Sequence, residues 1–233
     1  MRVLIDTGLK ISPAADWRMK TVEDRRFNLW CGDYPFGKDS SFFPKLVAAA
    51  RRFSDKEPED RADEERFREV LENLRAAAPT ATEGLVDQIE HRWRHPHCPK
   101  ALYVLTCTLL APDGGALVSA DGELVPELVC TKVGEAKRTV AARLEIYTRQ
   151  KLGGVVIADG SLALKVLIYG EAPTMLLERD VQAVARSVAP RAEKVSDGKS
   201  VGYVGDETYA GIEAVQAIAS FARSRVVFPS PAG

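Results

Sequence analysis

Hydrophobic and polar positions change their period near the middle of the chain. From Phe42 to Phe53 an apolar, alanine-rich run ends in Arg51-Arg52, and Phe67, Val70, Leu71 and Leu74 recur at the spacing of a buried helix face. Thr80 with Glu83 reads as a capping box opening a third helix, which Leu85 and Ile89 carry to about Trp93. The acidic stretch Ser54 to Asp60 between the first two reads as a solvated turn. Before Phe42, Trp17, Trp30 and Tyr34 sit among polar residues in no clean period. The first hundred residues therefore read mainly as helix and loop.

Two prolines in His95-Pro96-His97-Cys98-Pro99 break the pattern, and β-branched, alternating segments follow. A domain boundary is placed here, with residues 1–98 a mostly helical N-terminal domain and 99–228 a second domain. Strands are predicted over Ala101 to Leu110 and Leu128 to Val133, with turns at Pro112-Asp113-Gly114-Gly115 and Asp121-Gly122. Val140, Leu144 and Tyr147 mark one face of a helix over Thr139 to Lys151, which Gly153-Gly154 ends. Val155 to Ala158 and Leu162 to Tyr169 read as a hairpin across Asp159-Gly160-Ser161. Pro173 opens a helix with Leu177, Val181, Val184 and Val188 as its buried stripe, and a last helix runs from about Ala210 to Ser224. The fold class is α+β, a small, mainly antiparallel sheet flanked by helices.

Composition narrows the setting. The 233 residues are 45% hydrophobic and 28% charged, and no apolar run is long enough for a membrane span. Met1 to Lys10 lacks the apolar core of a secretory signal, and four scattered cysteines resemble reduced intracellular usage, so a cytoplasmic location is expected. A net charge of -1 leaves phosphate binding to local clustering. Such a cluster exists: Lys132, Lys137, Arg138, Arg143, Arg149 and Lys151 are opposed only by Glu135 and Glu145 over the same stretch.

Within that stretch Tyr103, Lys132, Arg143 and Glu178 are the residue types that metal-assisted phosphodiester cleavage requires: a proton-handling group, cations facing the phosphate and a carboxylate for a divalent ion. ALYVL at 101–105, KVGEAKRTVAARL at 132–144 and LLERDVQAVA at 176–185, in that order, resemble the motifs of the GIY-YIG nuclease superfamily. The nearest likeness is to its phage and bacterial branch, whose second motif begins with Lys. The resemblance covers 99 to about 225, with a tail match at Gly205-Asp206-Glu207-Thr208-Tyr209.

The resemblance implies a three-stranded sheet flanked by helices and a one-metal DNA phosphodiesterase site using Mg²⁺ or Mn²⁺. Tyr103 matches the tyrosine of the first motif, Gly134 the glycine of the second, Arg143 the helix arginine and Glu178 the metal-binding glutamate. A phenol accepts a proton from water if a neighbouring cation depresses its pKa. Arg143 would hold a non-bridging oxygen, with Lys137, Arg138 and Arg149 along the backbone, and Glu178 suits an ion that keeps most of its waters. Lys132 stands where many relatives have tyrosine; it would supply charge, steady the phosphate or lower the pKa of Tyr103. Ala101 and Leu102 replace a glycine and an isoleucine, and Ala111 to Glu127 is an insertion.

Two alternatives stay open: an inactive nucleic-acid-binding module on the same fold, and an interaction domain held by zinc. The second draws on His91, His95 and His97 with Cys31 or Cys98, in a spacing that matches no standard zinc module. The same stretch also reads as an interdomain linker in which Arg92, Trp93 and Arg94 pack on the second domain or touch nucleic-acid backbone. The N-terminal part is expected to supply target choice, a surface for a protein partner or a contact between two copies.

Overall fold

Ala101–Leu110 is a nearly continuous apolar run, and such runs belong to strands covered on both faces. In the computed structural model it is a central strand of the sheet. The structure describes residues 2–5, 26–35, 41–53, 61–79, 82–96, 100–148, 151–170, 174–196, 199–224 and 226–227. In chain order the strands are β1 (Arg2–Ile5), β2 (Arg26–Pro35), β3 (Ala101–Leu110), β4 (Gly115–Val118), β5 (Leu124–Val125), β6 (Glu127–Ala136), β7 (Lys151–Leu152), β8 (Val155–Ile157), β9 (Ala163–Gly170), β10 (Glu193–Ser196), β11 (Lys199–Tyr203), β12 (Thr208–Ala210) and β13 (Val226–Val227). The helices are α1 (Phe42–Phe53), α2 (Arg61–Ala77), α3 (Glu83–Arg94), α4 (Val140–Tyr147), α5 (Thr174–Val188) and α6 (Glu213–Ser224).

The α+β class holds, with six helices among the described residues and antiparallel pairing throughout. A nine-stranded sheet runs in the order β12-β6-β3-β9-β2-β1-β13, with β8 on β3 and β7 on β8. Tyr103, Leu105 and Cys107 of β3 point into one apolar cluster shared with α1, α2, α3 and α4. Leu102 and Val104 point into a second, shared with α5 and α6. The period-two alternation of a strand thus divides one run between two helical layers.

The first hundred residues hold more than helix and loop. β2 pairs with β9 from Phe27↔Gly170 to Pro35↔Ala163, with a register shift between Cys31 and Tyr34. The shift breaks the alternation that would have announced a strand. A single apolar cluster runs from Tyr34 and the α1–α3 helices into β3, β9 and α4, so the described residues on either side of 98 share a sheet and a core. Trp93 belongs to that core and not to a linker: fully buried, it stacks on Phe67 at 4.6 Å, meets Phe53 edge-on at 5.2 Å and donates to Glu64 at 2.9 Å.

Local expectations shift where tertiary contacts intervene. α3 begins at Glu83 with Thr82 in the cap position, two residues after the expected Thr80. β8 and β9 form no hairpin, because both pair with β3, through Leu109↔Ile157 and Thr106↔Ala163. Asp159-Gly160-Ser161 bulges out between them, tied by Ala158 N–H donating to Thr108 and Thr108 N–H to the Ser161 hydroxyl. α4 ends at Tyr147 because Lys151 enters β7. On α5 the buried stripe is Val181 and Ala185, continued by Ala189, while Val188 is exposed. The insertion becomes β4 and β5, which pair with β10 and β11 in a second sheet of order β11-β10-β4-β5. Residues 54–60, Thr80, Pro173, His97, Cys98 and Arg149 lie outside the described residues.

Removing the Trp93 ring empties the centre of the α1–α3 layer. Trp93→Ala is expected to lower stability by about 3–5 kcal/mol in urea unfolding, in one transition seen equally by far-ultraviolet dichroism and fluorescence. A variant that unfolds in two separated steps would overturn the shared core.

Candidate active site

The ladder between β3 and β6 decides which polar groups meet. Tyr103 pairs with Gly134 and Leu105 with Lys132, so Tyr103 and Lys132 share one face of the sheet. The Tyr103 ring lies over Gly134, where a Cβ would stand 2.5 Å from the ring's Cζ. Only glycine leaves that room. Val140, Ala141 and Leu144 anchor α4 on the same face and turn Arg143 to the rim.

Arg143 Nε donates to the Tyr103 hydroxyl at 3.4 Å, and the Tyr103 and Tyr147 hydroxyls share a hydrogen bond of 2.8 Å. The Arg143 guanidinium also lies 5.9 Å from the centre of the Tyr147 ring. Tyr147, read from the sequence as a core position, is thus a polar member of the cluster. Its i+4 spacing from Arg143 was the signal for that. The expected depression of the Tyr103 phenol does not occur: burial, with Tyr147 beside it, pushes it above its ordinary value, and Arg143 opposes only in part.

Lys132 is the group brought toward neutrality. Burial lowers its ammonium to about 8 against the attraction of Asp206 and Glu207; Arg143 adds to the fall and Glu178 resists it. Its Nζ donates to the Asp206 carbonyl. The outer edge of β6 is covered by β12 only through Thr208↔Lys132, with Val133 N–H donating to Glu207 at 3.0 Å. Past that point no further strand pairs with β6 among the described residues.

Glu178 lies across that edge. Alternation turns Glu135 to the face opposite Lys132, toward α5. Burial first, then the neighbouring Glu135 carboxyl, raise Glu178 to about 7. Gln182 donates to Glu178 at 3.0 Å. Burial also works against ionised Glu135, but its ion pair with Lys100 outweighs this and keeps its carboxyl below the usual range. The other oxygen of Glu135, Oε2, is buried and has no N–H or hydroxyl donor. Glu135, Ala136, Lys137, Arg138, Thr139, Ala142 and Arg143 line an open groove of about 490 Å³. Lys137 and Arg138 thereby join Arg143 on one surface.

The histidine cluster divides. His91 and His95 lie tilted against each other with ring centres 4.6 Å apart, and His91 meets Tyr169 of the first core edge-on. Cys31 packs against the second core, on the opposite face of the sheet, and cannot complete a site with His91. Among the described residues no group of three or more His, Cys, Asp or Glu is assembled to hold a metal ion. Cys107 and Cys130, directly opposed on β3 and β6, are buried free thiols with sulfurs 3.4 Å apart.

No protein-family model, curated protein or solved structure matches the chain. Among the described residues, no helix is long and apolar enough to cross a membrane.

Lys132 carries a stability consequence. With the folded ammonium near 8 and the unfolded one near ~10.4, the folded state holds fewer protons between those values, so stability rises with pH across that window. Below it the buried charge is a full penalty. Lys132→Met is expected to raise stability at pH 7 by on the order of 1–3 kcal/mol in denaturant unfolding, the advantage shrinking to nothing as the pH rises through the window. An equal gain at all pH values would contradict a titrating buried ammonium.

Proposed function

We propose that this protein is a divalent-metal-dependent phosphodiesterase that cuts DNA in the cytoplasm, in the manner of the GIY-YIG nucleases it resembles. The observation that carries the reading is the meeting of the motif positions at the open end of β6. Tyr103 lies over Gly134 and accepts from Arg143, while the Lys132 ammonium feels both Arg143 and Glu178. These groups come from strands and helices far apart in sequence. A surface helix and a solvated strand give no reason for their convergence.

The residues fit a divalent ion on the chemistry of the donor set. Burial and the neighbouring Glu135 carboxyl hold Glu178 near 7, and a cation between the two carboxyls would offset their repulsion. A Mg²⁺ bound by one or two carboxylates and several waters suits this arrangement better than an all-protein cage. Glu178, with Glu135, would hold the ion, which would neutralise charge on the phosphate and the leaving oxygen.

The chain's own residues take the other parts. Lys132 in its neutral form accepts the proton of the attacking water as the oxygen bonds to phosphorus, and its own N–H to Asp206 orients the lone pair. Arg143 offers its guanidinium to the non-bridging oxygens, where charge grows in the transition state. Tyr103, kept protonated by burial, works as a hydrogen-bond donor and, with Tyr147, sets the direction of Arg143. Lys137 and Arg138, with Arg149 beyond them in sequence, track the DNA backbone. The α1–α3 layer, joined to α4 by the Arg51–Glu145 ion pair, supplies target choice or a protein contact.

The burial of Tyr103 also favours a second reading, binding without cleavage. Plasmid nicking in Mg²⁺ or Mn²⁺ decides. Cleavage is expected to fall on the order of 10²–10³-fold in Arg143→Ala and in Glu178→Gln, with folding intact. The wild-type rate should climb with pH through about 8, as Lys132 loses its proton, and Lys132→Met should lose that rise. DNA retention with no metal-dependent cutting at any pH would leave the binding module.

A further inference from the structure

Gln88 of α3 is buried and clamps the turn before α4. Its Nε2 donates to the Arg138 carbonyl at 3.1 Å and its Oε1 accepts from the Val140 amide at 3.0 Å. Gln88 thereby takes the amide of the first residue of α4 and leaves the next two amides, from which a threonine at a helix cap ordinarily accepts, untouched. Thr139 occupies the cap position with extended backbone angles, φ −100° and ψ 141°, yet its side chain makes no capping bond. Its Oγ1 is buried and has no hydrogen-bond partner, in a residue only 1% exposed. Burying a hydroxyl without a partner is unfavourable, and such a group needs an explanation.

The surroundings provide one. Thr139 and Ala142 line the groove that holds Arg143. The Arg143 amide closes the first helical bond to the Thr139 carbonyl at 3.3 Å, and the Val140 amide belongs to Gln88. Helix geometry leaves the Ala141 and Ala142 amides without a partner inside α4, at the positive end of its dipole. Lys137 and Arg138 add charge at the rim, while the one acid of the groove, Glu135, is paired with Lys100.

We propose that the start of α4 is a phosphate subsite, in which the Thr139 hydroxyl and the Ala141 and Ala142 amides hold a backbone phosphate of DNA adjoining the one at Arg143. Its ligand rests on the nuclease reading, while its chemistry, an oxyanion at a helix N-terminus with a donor hydroxyl, does not. Gln88 holds only the Val140 amide and the Thr139 side chain makes no cap, so the hydroxyl and the next two amides are left for the ligand.

Thr139→Val, isosteric but without the hydroxyl, tests this in the full chain. Binding is read by fluorescence anisotropy on a labelled DNA duplex, with Ca²⁺ in place of Mg²⁺. The variant is expected to bind about three- to tenfold more weakly, and Thr139→Ser to bind like wild type. The melting midpoint of the free variant should stay or rise, because the hydroxyl has no bond to lose. A purely structural threonine would lower it. Inorganic phosphate should raise the midpoint of the wild type and not of Thr139→Val. Wild-type DNA affinity together with unchanged phosphate protection in Thr139→Val overturns the subsite, even where cleavage is intact. Phosphate protection lost in the variant, with no cleavage by any form, keeps the subsite and removes the nuclease reading.

Discussion

Everything at the candidate site hangs on the register between β3 and β6, a ladder that runs unbroken from Ala101↔Ala136 to Leu110↔Glu127. A slip by one residue would send Tyr103 to the α5–α6 side and Lys132 away from Arg143, because side chains alternate faces at every step. The register is held by packing on both sides. Leu102 and Val104 fill one core while Tyr103, Leu105 and Cys107 fill the other, so a shift would exchange the two sets and force the Tyr103 ring into the α5–α6 layer. Gly134 is part of this constraint, since the Tyr103 ring occupies the space a side chain would need.

On that frame the two helical layers deliver opposite charges to one edge. α4 brings Arg143 to the first face, α5 brings Glu178 to the second, and the short reach of β12 leaves the end of β6 open between them. The same geometry perturbs the groups it gathers. Lys132 is pushed down to about 8 and Glu178 up to about 7, both chiefly by burial. Such opposed shifts are characteristic of sites that bind or move charge, and they agree with the metal-dependent chemistry we propose.

The division of labour at α4 follows the same logic. Gln88 reaches across from α3 to hold the helix start, Arg51 of α1 pairs with Glu145, and the N-terminal helices thereby fix the position of Arg143 although none of them carries a motif residue. β2, which extends the sheet beyond β9, ties the same region into the core from the other side. The boundary read from the prolines near residue 98 marks a change of local structure within a continuous core.

By itself the sequence determined the helices whose apolar residues recur at a clean period: α1 from Phe42 to Phe53, the buried face of α2, and the strands β3 and β6. It also determined the residue types at Tyr103, Lys132, Arg143 and Glu178, because local pattern and motif order depend only on neighbours in the chain. Tertiary structure decided the rest. β2 could not be read because a bulge between Cys31 and Tyr34 hides its alternation, and Asp159-Gly160-Ser161 looks like a hairpin turn yet bulges between two strands that both pair with β3. Glu135 and Thr139 joined the site only in three dimensions, and the hydrogen bond between Tyr147 and Tyr103 was likewise visible only there. Whether a tyrosine is core or hydrogen-bonded, and whether a lysine is solvated or buried with a lowered pKa, is settled by partners and burial contributed from distant parts of the chain, which no local window contains.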